Sequence, residues 1–188
     1  MLESNSKNLD FLLDVSQVKD KDLQTRMRHF EEKAEILGFT KIEIPSCNTR
    51  SVNEHIQNLT FEKVRNTFLL GVYFFHLTNQ SAVKKDDWNN FRTNKKISPW
   101  NDHVVEAENI LYIGQRHNDL KTRLCDHTVK ANYSTQALKL NDPSCPNFSY
   151  SITLYYQRID KTKKATSKIY CLLLETIAKE LFPTLIGK

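Results

Sequence analysis

The stretch from Ile110 to His127, ILYIGQRHNDLKTRLCDH, leaves few ways for this chain to fold. It opens as an apolar run, breaks at Gly114, and continues with Leu120 and Leu124 on one helical face and Arg123 and His127 on another. The pattern predicts a strand, a turn and a helix. Asn118 or Asp119 is placed to cap the first helical turn. The i, i+4 spacing sets the guanidinium of Arg123 beside the imidazole of His127, so a cation and a titratable ring are expected on one exposed ridge. An ordinary amphipathic helix with a polar outer face would show the same spacing.

Apolar periodicity predicts the elements around this stretch. Leu23, Met27, Phe30, Ala34 and Leu37 recur at three- and four-residue steps before Gly38, the mark of an amphipathic helix and its end. Lys41 to Ile44 alternates as a short strand that Pro45 should stop, and Ser51 with Glu54 forms a capping-box signature for a further helix. Thr67 to Leu77 is aromatic and β-branched, as a buried strand would be, and Tyr150 to Ile159 alternates with Ile152, Leu154 and Tyr156 on one face. A short helix is expected through Ala137, Leu138 and Leu140, and a last helix from a Ser167 cap to a stop at Pro183. The expected fold is α+β: a small, mainly antiparallel three-stranded sheet flanked by helices. Residues 1–66 form an N-terminal helical segment, whose apolar stripes favour packing support over recognition, and residues 67–188 form the main domain with an insert at 78–109. That insert sets Trp88, Phe91 and Trp100 among lysines and arginines. Such rings stack on nucleobases or anchor a small helix, and the weight large aromatics carry in packing favours the anchor.

The charge is unevenly placed. Residues 115 to 168 hold ten Lys or Arg against four Asp, in a chain whose net charge is only +5. A basic excess confined there suits a polyanion-facing surface, although solvated basic faces are common. Cys47, Cys125, Cys145 and Cys171 form no CxxC pair, so reduced thiols are expected in place of a zinc site or disulfide framework. The first residues lack a signal-peptide pattern and no apolar run is long enough to span a bilayer, so a cytoplasmic protein with no membrane contact is expected.

Three more segments sharpen the reading. Gly71-Val72-Tyr73 heads one apolar run, Tyr112-Ile113-Gly114 lies in the central stretch, and Arg123, His127 and Glu175 follow in order. This ordered set resembles the GIY-YIG nuclease family over about residues 68 to 188. The resemblance implies the fold already expected, DNA as the partner, and Mg²⁺ or Mn²⁺ as cofactor. It assigns Tyr73 as general base, His127 as its proton acceptor or orienter, and Tyr112 as a positioning hydroxyl. Arg123 would contact the phosphate and Glu175 would hold the metal. Gly71, Gly114 and Arg116, together with Lys121, Lys163 and Lys164 from the basic excess, would complete the substrate surface. Three features depart from the family pattern. Gln115-Arg116 stands where many members have Lys, Arg123 follows Gly114 by nine positions, and no Asn follows Pro183.

Phosphodiester hydrolysis needs an activated water, neutralisation of charge on the phosphate, and a stabilised leaving oxygen. The named residues supply those roles in one chain. Each also has an ordinary reading: core rings for the tyrosines, an ion pair with Asp119 or Asp126 for Arg123, and a salt bridge to a nearby base for Glu175. The expected activity is a metal-dependent DNA endonuclease, with restriction or defence suggested by its stand-alone size. A non-cutting DNA-binding module of the same fold and an RNA-directed nuclease are the alternatives. One site cuts one strand, so double-strand cleavage implies a homodimer or repeated encounters.

Overall fold

The computed structural model describes residues 14–51, 53–61, 64–79, 83–93, 95–104, 109–130 and 136–187. In chain order these form α1 (Leu23–Ile36), β1 (Thr40–Asn48), α2 (Glu54–Asn58), β2 (Thr67–Leu77), α3 (Lys85–Arg92), β3 (Ile110–Arg116), α4 (Leu120–Thr128), β4 (Ser149–Asp160) and α5 (Lys164–Leu181). The strands make one antiparallel sheet in the order β1-β4-β2-β3, an α+β architecture with helices on both faces.

The sheet therefore has four strands, where the sequence predicted three. The additional strand comes from the N-terminal third, and Pro45 does not end it. β1 pairs with β4 on one side only, and its register shifts between Ile44 and Cys47, so the missing N–H falls in an irregularity of an edge strand. β2, by contrast, is central and pairs along its length with β4, as its unbroken apolar run demands.

Alternation along the strands sorts the core into two layers. Leu70, Val72 and Phe74 face α1 and α5, where Phe30 sits edge-on to Phe74 and Tyr155 at centroid distances of 5.1 and 4.9 Å. Arg26 of α1 donates from Nη1 to the carbonyl of Leu181 at 2.6 Å, tying α1 to the end of α5. The first helix thus supports the core. Asp22 caps it by accepting from the backbone N–H of Thr25, and Gly38 ends it at φ +79°. Tyr73, Phe75, Leu111, Leu120 and Leu124 fill the opposite layer under α4.

Several local expectations shift. Asn53, in place of Ser51, caps α2 by accepting from the N–H of Ile56. The last helix starts at Lys164, three residues before Ser167. Residues 136–140 form no helix among the described residues; Ala137 instead bridges Ile97 of the insert. In that insert Trp88 and Phe91 are buried, and the indole N–H of Trp88 donates to the carbonyl of Ser98 at 3.0 Å, so these rings anchor α3. No helix among the described residues is long and apolar enough to cross a membrane.

Candidate active site

Tyr73 and Tyr112 project from the same side of neighbouring strands. Tyr73 pairs in register with Gly114 and Tyr112 with Phe75, so the two tyrosines are diagonal neighbours with ring centroids 6.3 Å apart. Gly114 is what lets the rings approach. A Cβ at that position would lie 2.7 Å from the Tyr73 hydroxyl and 2.7 Å from the Tyr112 ring.

α4 lies over them. Asp119, at φ +45°, caps the helix by accepting from the N–H of Thr122, while Leu120 and Leu124 enter the core. Arg123 and His127 then face the tyrosines. The exposed ridge expected from their spacing is absent: His127 is fully buried and Arg123 is half-buried. Helical spacing placed the two side chains on a common face, but the segment 136–140 folds over that face. There the N–H of Leu138 donates to His127 Nδ1 at 3.1 Å, and the N–H of Leu140 donates to the carbonyl of His127 at 2.7 Å.

The contact from Leu138 decides the tautomer. A peptide N–H only donates, so Nδ1 is the bare nitrogen and a neutral ring carries its proton on Nε2. Burial holds the His127 imidazole well below its ordinary pKa, and Arg123 and Lys139 push it the same way. The neutral ring therefore donates from Nε2 to the Tyr73 hydroxyl oxygen, 3.0 Å away. Arg123 Nε donates to the same oxygen at 3.3 Å. With two N–H donors on its oxygen, Tyr73 must direct its own proton elsewhere. Burial raises the pKa of this phenol, Tyr112 adds to the effect, and Arg123 opposes it, so the hydroxyl is neutral at rest.

An open cleft of about 220 Å³ meets this cluster over the free edge of β3. Tyr112 and Arg123 line it from the α4 side, and Lys179 of α5 lines it from the other. Its end wall is the C-terminal tail, which adds to the first half of β3 through hydrogen bonds from Leu185 and Ile186 N–H to the carbonyls of Ile110 and Leu111. Trp100 bridges Ile186 on the outer side of that tail. An apolar strand-like tail thus closes the region where an Asn would follow Pro183 in the resembled pattern.

Glu175 lies on α5, one turn before Lys179, and its Oε1 is 3.0 Å from the Lys179 ammonium. It is largely shielded, with 17% of its side chain exposed, and its charge reaches both Tyr73 and Cys171. Among the described residues no group of three or more His, Cys, Asp or Glu converges as a metal site. Glu175 fits Mg²⁺ or Mn²⁺ only as a one-carboxylate site completed by waters and phosphate oxygens, which is a known habit of Mg²⁺.

The structure brings Tyr73, Tyr112, Arg123, His127 and Gly114 into one cluster, with Glu175 close enough to act on it. The other expected substrate residues lie apart from the cleft. Gly71 is buried, and a Cβ there would meet the Tyr155 carbonyl at 2.5 Å and Leu120 at 2.9 Å, so it is a packing glycine. Arg116 folds back to donate from Nε to the carbonyl of Asn118, and Lys121 donates to the carbonyl of Gln57. Lys163 is exposed beside the end of β4, and Lys164 opens α5. Sequence reasoning missed Lys179, although its i+4 step from Glu175 signals it, and also Lys139, which is buried close to His127 and Arg123. Compared with protein-family models, characterised proteins and solved structures, the chain matches none of them.

Proposed function

We propose that the protein is a metal-dependent endonuclease of the GIY-YIG type that hydrolyses phosphodiester bonds in DNA. The observation that carries this reading is the buried Tyr73 oxygen, which takes one N–H from His127 and one from Arg123, the residue that with Tyr112 lines an open cleft. A buried phenol used only for packing has no need of two such donors. They stabilise the phenolate form, which is the form able to take a proton from water.

In this reading a phosphate enters beside Tyr112 and Arg123. The guanidinium neutralises charge developing on the nonbridging oxygens, a role in which one well-placed donor is worth about 10²- to 10³-fold in rate. Tyr112 positions the phosphate through its hydroxyl. As Tyr73 takes the water proton it passes its own hydroxyl proton to a nonbridging phosphate oxygen, while His127, fixed as an Nε2–H donor by Leu138, orients Tyr73 and does not accept its proton. Glu175 holds the divalent ion, whose chemistry when bound is to polarise the phosphoryl and leaving oxygens. Lys179 must then release one carboxylate oxygen or shift with it.

That ion pair also favours a second reading, a DNA-binding module that does not cut, because the cleft-lining Lys179 ammonium already neutralises the Glu175 carboxylate. Conversion of supercoiled plasmid to nicked or linear DNA, with Mg²⁺ or Mn²⁺ and a chelator control, separates the two. Metal-dependent cutting by the wild type and its loss in Arg123→Ala and Glu175→Ala is the expected result. Binding without cutting in all three proteins leaves the module reading.

A further inference from the structure

A second open groove, of about 710 Å³, lies at the start of β2. Leu69 shares the sheet face of Tyr73, because side chains alternate and the two are four residues apart. The groove has an apolar floor that includes Leu59, Phe61 and Leu69, and its rim carries Arg65, Lys121, Arg158 and Lys161. Asp119 is the sole acid among the described residues lining it. Arg158 also lines an adjoining depression of about 370 Å³, where Lys163 and Asp160 join it.

Both acids are engaged by their own chain. Asp119 caps α4, and Asp160 accepts from the N–H and the hydroxyl of Thr162 at 2.8 Å each. The cations are held differently. Arg65 and Lys161 are exposed, and Arg158 reaches Thr67 only through a long 3.4 Å contact. The basic residues come from three separated segments and face one groove, the arrangement that complements a row of phosphates.

Its position relative to the tyrosines sets the scale. The groove residues Thr67 to Leu69 precede Tyr73 by four to six positions, which along a strand is about 13–20 Å. On duplex DNA, at about 3.4 Å per base pair, that distance is about four to six base pairs. We propose that this groove is a second DNA contact, holding backbone phosphates four to six base pairs from the phosphate at Arg123. The proposal rests on the reading of the cleft as a phosphodiester site. It separates Lys121 and Lys163 from the chemistry and gives them, with Arg65, Arg158 and Lys161, the task of setting the register of the duplex.

The test is the affinity of a 20-base-pair duplex, measured by fluorescence anisotropy with chelator present and salt varied from 50 to 200 mM. One variant combines Arg65→Ser, Arg158→Gln and Lys161→Ser. A control combines Lys19→Ser, Lys21→Ser and Arg28→Ser, which removes equal charge from exposed positions in and just before α1. Melting temperatures establish that both variants are folded. The groove variant should bind about tenfold or more weaker, with a log–log salt slope shallower by about 2 to 3, while the control retains wild-type slope. Equal affinity and slope in the two variants, or no duplex binding by the wild type, overturns the proposal. Binding without metal is read independently of cutting. A protein that loses affinity in the groove variant but never cuts keeps the groove and loses the nuclease reading, and one that cuts with undiminished affinity does the reverse.

Discussion

Tyr73 and Tyr155 are both buried tyrosines of adjacent strands, yet they face opposite sides of the sheet and are used in opposite ways. On the α1/α5 side, Tyr155 packs edge-on against Phe30 and Phe74, and its hydroxyl donates outward to Glu31 at 3.1 Å. On the α4 side, Tyr73 has its oxygen turned into a cage of donors from His127 and Arg123. Burial raises both phenols, but the carboxylate beside Tyr155 raises it further while the guanidinium beside Tyr73 works against burial. One face is arranged to hold the fold together. The other spends buried polar groups on an oxygen bonded to Arg123, which lines a cleft.

The largest expected effect is on the structural face. Phe30→Ala removes a ring with no exposed surface that contacts Phe74, Tyr155 and Phe182, and should cost about 3–5 kcal/mol in urea unfolding. DNA cutting per folded molecule should be unchanged. A selective loss of cutting at full stability would break the division between the faces.

Next in size is the pH dependence of stability, which belongs partly to the α4 face. His127 is held neutral in the folded chain, and burial pushes His76 down to about 4. A histidine in the unfolded chain titrates near 6.5, so below that pH the unfolded state binds protons that the folded state excludes. Stability is therefore full above about pH 6.5 and falls as pH drops, by up to about 1.4 kcal/mol per pH unit for each such histidine. His127→Gln should remove about a third to a half of that slope between pH 6.5 and 5, the rest staying with His76 and with His29, which burial also lowers. An unchanged slope would mean that His127 is not held neutral. Smallest of all, Tyr155→Phe deletes one hydrogen bond to Glu31 and should cost about 1 kcal/mol with no effect on cutting.

The two faces also differ in how much of them the sequence discloses. β2 was legible from Thr67 to Leu77 because a central strand buried on both faces must be apolar throughout. The α1 stripe and the joint placement of Arg123 and His127 follow from helical spacing. What covers a face does not follow from spacing. The burial of His127 depends on Leu138 and Leu140, which are close in sequence but take no regular structure. β1 was shortened because Pro45 reads as a terminator unless the strand is known to be an edge, and that knowledge requires the sheet order. Lys121 and Lys163 were grouped with the cleft by charge alone, which carries no direction. The tail that walls the cleft, Thr184 to Ile186, gives no signal of its own, because its partners are backbone groups of β3.

The central claim is that the Tyr73 hydroxyl does chemistry and is not a core phenol, and single-turnover cutting of a labelled duplex by wild type and Tyr73→Phe with Mg²⁺ tests it most directly. The account predicts a loss of about 100-fold or more in rate, with duplex affinity within about twofold and stability within about 1 kcal/mol of wild type. Equal rates in the two proteins would contradict it.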